Sequence, residues 1–237
     1  SLNQSRLPES IVMAAQAKLD RLSDEVREMA ECAAVLGDEF RVDTLAQVTG
    51  KPEEEIEDLL LEGVRNGVLS DRGVAAGDDG RFYQTILRRV VYVGISPRRR
   101  KRLHLIAAQA IEATHPHEAE RIAEAISVHY EAAGDARKTF DWSMRAWQAA
   151  SSRWNWSEAM SCIERANQAA TELNGRGETQ LETVDKIKLL FGVGETYYAT
   201  GRLKESETAY NEAITLARTV NDRGALAMAL LQQGQTR

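Results

Sequence analysis

The sequence predicts a mainly α fold in two parts: a small module of short helices with a β-ribbon over residues 7–95, then an array of helix pairs over 96–237. Three observations predict it. Apolar residues recur at helical spacing along most of the chain, with one interruption by β-type residues on either side of a glycine-rich stretch near Gly77. One apolar stripe returns 47 residues later with the same internal spacing. The charge is also segregated: residues 1–80 hold 8 basic and 18 acidic side chains, 81–105 hold 8 and 0, and 106–237 hold 14 and 18. The overall net charge of −6 therefore hides blocks of −10, +8 and −4.

In the first part, Pro8 and the acids after it open a helix over about 9–21 that places Ile11, Ala14, Ala15, Leu19 and Leu22 on one face. Ser23 caps the next helix, Asp24 and Glu25 complement its positive end, and Gly37 ends it. Its buried stripe is Val26, Met29, Ala30, Ala33 and Ala34. A short helix from Asp43 to Val48 stops at Gly50, and Pro52 followed by Glu53, Glu54 and Glu55 starts another that carries Ile56, Leu59, Leu60 and Val64 inward before Gly67. Val68-Leu69-Ser70 and Arg81-Phe82-Tyr83 read as two strands joined through Gly77-Asp78-Asp79-Gly80, which is turn chemistry. Helices followed by such a ribbon point to a winged helix. Helical spacing resumes at Thr85, and Ser96-Pro97 starts a long helix through about Ala113.

The second part is paired helices. Trp156, Ala159, Ile163 and Ala166 match Leu203, Ser206, Tyr210 and Ala213 in spacing, each set on the second helix of a pair. Gly194 is a small residue that admits a neighbouring helix, Tyr197 fills the gap and Gly201 makes the turn. Gly194, Tyr197, Gly201, Tyr210 and Ala213 together resemble the tetratricopeptide repeat, which implies an α-solenoid with a protein- or peptide-binding surface. The preceding pair, about 136–173, departs by having Asn155 where the turn glycine is expected, and Gly234, forty residues after Gly194, marks the start of a further pair. A plain helical bundle remains open as the alternative. Tyr197, Tyr210, Trp147 and Trp154 are expected in the core rather than on the concave face.

With 43% hydrophobic and 28% charged residues the chain is expected to fold, and without an apolar run of membrane-spanning length or a secretory leader it is expected in the cytoplasm. Cys32 and Cys162 sit in helical apolar patterns and read as structural thiols. No catalytic constellation is evident. Gly50-Lys51 is followed by Pro52 and lacks the earlier glycine of a P-loop, so no nucleotide cradle, cofactor or metal is expected in this chain. Gly192-Val193-Gly194 begins like a dinucleotide fingerprint but runs on into a helix. His115-Pro116-His117 reads as an interhelical loop, and His104 and His129 as packed helical residues.

The basic run Arg98, Arg99, Arg100, Lys101 and Arg102 occupies the first turns of a helix, where the macrodipole disfavours cations. It reads either as a contact patch for phosphate or an acidic surface, or as a solvated face neutralised by the acidic first block. Direct nucleic-acid binding is disfavoured, because Glu53, Glu54, Glu55, Glu57 and Asp58 crowd the helix before the ribbon and repel a phosphate backbone.

The series Leu19-Asp20-Arg21-Leu22-Ser23, Ala33 through Phe40, Phe82 through Tyr92, and Ser96-Pro97-Arg98-Arg99-Arg100 to Leu103-His104 resembles the signal-transduction ATPases with numerous domains. The resemblance spans essentially the whole chain. It implies the non-catalytic regulatory middle of a larger bacterial signalling ATPase, with transcription as the output. The implied winged helix packs on an adjacent nucleotide-binding domain of the parent chain in the ADP state and moves when a ligand engages the repeats. ATP or ADP would bind that absent domain. The family often has a histidine after the second wing strand, close to the nucleotide phosphate; Gln84 stands there, able to donate a hydrogen bond but not to carry positive charge. Two other readings stay open: a free-standing repeat adaptor, and a DNA-binding winged helix with a helical arm.

Overall fold

The computed structural model describes residues 9–70, 79–114, 118–176 and 181–235. The chain divides into two compact units, residues 1–116 and 117–237. The described residues are mainly helical, and no helix among them is long and apolar enough to cross a membrane.

The first unit runs α1 (Glu9–Leu19), α2 (Asp24–Leu36), β1 (Glu39–Arg41), α3 (Val42–Thr49), α4 (Glu53–Arg65), β2 (Leu69–Ser70), β3 (Asp79–Phe82), α5 (Thr85–Gly94) and α6 (Pro97–Thr114). The local signals act as expected. Ser23 Oγ accepts the Val26 N–H, and Gly50 and Gly67 end their helices with φ of 72° and 66°. The stripe of α2 is buried together with Ile56, Leu59 and Leu60 of α4.

The sheet has one strand more than the sequence implied. β1 pairs antiparallel with β3, which pairs antiparallel with β2, giving the order β1-β3-β2. Phe40 lies opposite Gly80 and meets Phe82 edge-on at a centroid distance of 6.2 Å. Asp79 and Gly80 therefore belong to β3 rather than to a turn, and the missing Cβ of Gly80 leaves room for the Phe40 ring. Gly77 and Asp78 lie outside the described residues, as does His115-Pro116-His117.

The boundary expected at residue 95 also moves. The α6 helix belongs to the first unit, because Leu103, Ala107 and Ala110 enter the same core as α2, α3 and α4. An amphipathic helix beginning at Ser96-Pro97 looks alike whichever neighbour covers it, so spacing alone could not assign it.

The second unit runs α7 (Ala119–Ala133), α8 (Ala136–Ser152), α9 (Trp156–Arg176), α10 (Thr183–Ala199), α11 (Leu203–Thr219) and α12 (Arg223–Gln235). Each helix packs mainly on its sequence neighbours, as tetratricopeptide-like helix pairs do. Three members of each matched stripe are buried, Ala159, Ile163 and Ala166 on α9 and Ser206, Tyr210 and Ala213 on α11, whereas the leading Trp156 is half-buried and Leu203 is exposed. Four joints within the unit share one geometry, with a residue in the left-handed region at Gly134, Trp154, Gly201 and Asn221. In each, the next residue's N–H reaches back five positions: Asp135 to Tyr130 O, Asn155 to Ala150 O, Arg202 to Tyr197 O and Asp222 to Ala217 O, at 2.8–3.1 Å. Asp135, Asn155 and Asp222 then cap the following helix through a side-chain oxygen.

This geometry corrects the reading of the 136–173 pair. Trp154, not Asn155, holds the position of Gly201, with φ 58° against 79°, while Asn155 corresponds to Arg202. Trp154 is also not a core residue: it is 78% exposed, and its ring touches only the edge of Trp156 among the aromatic contacts of the described residues.

Candidate functional site

The expected repeat residues converge on α10 and α11. A Cβ on Gly194 would lie 2.6 Å from the Tyr210 ring, so glycine is what lets the two helices approach there. Gly194 O accepts a 2.7 Å hydrogen bond from Ser206 Oγ, which satisfies the hydroxyl inside the contact. Tyr210 and Ala213 are buried, and burial pushes the Tyr210 hydroxyl up to about 12. Gly192 does the same on the opposite face, where a Cβ would crowd Ile163 of α9 and Trp147 of α8. Trp147 Nε1 donates to Thr196 Oγ1 at 2.9 Å. The Gly192-Val193-Gly194 run is thus explained by close helix packing on both sides.

Between these packed layers lies an open groove of about 300 Å³. Its floor is α10, which packs against both α9 and α11, and presents the half-buried Leu190, Val193 and Tyr197. Glu164 and Asn167 rise from α9, and Glu205, Thr208 and Glu212 from α11. Two lining residues are tied to Arg202: its guanidinium lies 4.0 Å from the Tyr197 ring centroid and its Nε donates to Glu205 at 3.0 Å. Glu164 and Glu212 have no ion pair among the described residues and stand exposed on the two rims.

The sequence reading found Tyr197 but not the acids. A signal existed. Glu55 and Asp141 have Lys51 and Arg137 four residues before them and pair with them, whereas no Lys or Arg stands three or four positions from Glu164 or Glu212.

The basic run in the first unit separates into two groups. Arg99 Nε meets Glu31 of α2 at 2.7 Å, with Glu28 beside it. Arg100 donates to Val93 O and Ile95 O at 3.2 and 2.9 Å and covers the Tyr92 ring at 4.5 Å, so it neutralises the carbonyl end of α5. Arg98, Lys101 and Arg102, spaced by three and one on α6, remain exposed with no ion pair among the described residues. Gln84 is exposed directly before α5, in extended backbone and without a side-chain cap.

The cysteines and the described histidines are buried. Cys32 and Cys162 are buried free thiols pushed up to about 11 by burial. His104 and His129 are buried. The His104 ring nitrogen lies 2.9 Å from the Tyr92 hydroxyl, and burial, with Arg100 and Arg88 nearby, pushes its pKa down to about 4. Among the described residues no three metal-ligating side chains come together.

The described fold is that of a mainly helical chain with an open groove on tetratricopeptide-like helix pairs. No protein-family model matches the chain, and no curated protein matches it. Among solved structures, the chain is similar to a Signal Transduction ATPase with Numerous Domains (STAND) protein with a tetratricopeptide repeat sensor from Pyrococcus horikoshii, at 10% identity and a TM-score of 0.36. That likeness covers 92% of this chain and 42% of the other, so the chain spans less than half the length of the protein it matches.

Proposed function

We propose that this chain is a non-catalytic regulatory and protein-recognition region of a larger cytoplasmic signalling ATPase, with the helix pairs as the sensing surface and transcription as the output. The observation that carries the reading is the open α9–α11 groove, whose apolar floor and ordered polar rims suit a protein or peptide segment. The first unit has the element order helix, strand, helix, helix, strand, strand and the sheet order β1-β3-β2, which supports reading α2 to β3 as a winged helix. In that reading α4 is the helix a DNA-binding relative would lay on nucleic acid. Its exposed Glu53, Glu54, Glu57 and Asp58 oppose a phosphate backbone and favour a coupling role within the protein instead. Gln84 and the exposed Arg98, Lys101 and Arg102 are then the side chains offered to an adjacent nucleotide-binding domain, which would hold ATP or ADP.

The test is the native gene product. A P-loop domain within roughly 300 residues upstream, on the usual scale of domains, is expected, together with hydrogen-exchange protection of α5 and α6 that differs between the ADP- and ATP-loaded protein. A native product that begins near Ser1 overturns the ATPase part and leaves a repeat adaptor.

A further inference from the structure

Resting on the protein-recognition reading, we propose that the α9–α11 groove takes a cationic, apolar-centred peptide segment of a partner protein, with one apolar side chain on Leu190 and Val193 and flanking Lys or Arg side chains meeting Glu164 and Glu212. The volume of about 300 Å³ holds one or two apolar side chains, not a folded surface. The floor is half-buried rather than exposed, so a side chain entering it completes a desolvated contact.

The rims set the charge of the occupant. Glu164 and Glu212 come from different helices on either side of α10, and neither is neutralised among the described residues. Arg202, beside the groove, is already committed to Glu205 and to the face of Tyr197. An acidic peptide or a nucleic-acid strand would therefore bring like charge against the rims. A neutral apolar ligand would leave the two glutamates without a role. Asn167 and Thr208 also line the groove and can hydrogen-bond a peptide backbone, Thr208 as an acceptor because its hydroxyl donates to Lys204 O at 2.9 Å. Tyr197, which lines the groove, carries the Arg202 guanidinium on its ring.

Selection of phage-displayed random dodecapeptides on the immobilised 237-residue chain tests this, followed by fluorescence-anisotropy titration of the enriched peptides made synthetically. Lys or Arg on both sides of Leu, Met or Phe is the expected consensus. Binding should weaken with salt and by about tenfold or more in the Glu164→Gln/Glu212→Gln double variant. Val193→Thr should weaken it several-fold through the floor alone. The glutamates are exposed, so the double variant keeps the fold, which circular dichroism checks. Enriched peptides that are acidic, or whose binding ignores both the glutamate and the Val193 variants, overturn the groove assignment and leave peptide recognition standing elsewhere on the chain. A selection that enriches nothing overturns both.

Discussion

The two units reach a buried core by different means. The first fills its interior with large branched and aromatic side chains brought from distant parts of the sequence: Leu45, Ile56, Leu60, Leu69 and Leu87 are fully buried, and a three-stranded sheet ties residues 39–41 to 79–82. The second relies on small residues. Ala159, Ala166, Ala213, Gly192 and Gly194 let neighbouring helices close on single large groups such as Ile163 and Tyr210. Close approach of helices leaves room for a groove above the small residues, whereas a core of interlocked branched side chains does not. The groove accordingly lies in the second unit and the mixed α/β module in the first.

Truncating a large core residue separates the two most sharply. Leu60→Ala should cost about 2–5 kcal/mol through the cavity it leaves, and native-state hydrogen exchange should show the loss in α2 to α5 while α8 to α11 keep their protection. Equal loss in both units would mean that they unfold as one.

Acid should also act on the first unit. His104 is held near pKa 4 in the folded chain against an ordinary value of 6.5. Between those values the unfolded chain binds more protons, so this contribution is complete above about pH 6.5 and is lost as the pH falls toward 4. The loss is on the order of 3 kcal/mol. Urea unfolding across that range should show the slope, and His104→Gln should flatten it.

In the second unit the sensitive change is addition rather than removal. Gly194→Ala forces a methyl into the Tyr210 ring and should cost about 1–3 kcal/mol, visible as lost protection in α10 and α11. The smallest effects are at the joints. Trp154→Asn should stabilise by about 0.5–1 kcal/mol, because asparagine tolerates the left-handed backbone that tryptophan strains to adopt. Gly201→Ala at the corresponding position should destabilise by about 1 kcal/mol. A pair of thermal melts reads both.

What the sequence disclosed follows the same division. Periodicity and caps placed α2, α4, α9 and α11, because Ser23, Gly50, Gly67 and Gly201 act within a few residues of themselves. β1 escaped notice because three residues between helices have no period to read, and only its pairing with β3 makes Phe40 a strand residue. The membership of α6 rests on which core Leu103 and Ala107 enter. Trp154 went unrecognised because a bulky side chain is the reverse of the usual signal for a left-handed turn. The groove was half legible: Tyr197 stands in the repeat pattern, but Glu164 and Glu212 become neighbours of one cleft only when α9 and α11 fold against α10.

The common joint of the second unit has a consequence for how such a chain can change. Gly134, Trp154, Gly201 and Asn221 reverse the chain by the same backbone path, and the first two and the last two are each 20 residues apart. A duplicated helix pair bounded by such joints re-enters the array in the same direction, with its ends already matched to its neighbours. The array can lengthen or shorten by helix pairs through duplication or loss of a short stretch of gene. Its length is therefore open to evolution without a redesign of the core that carries it.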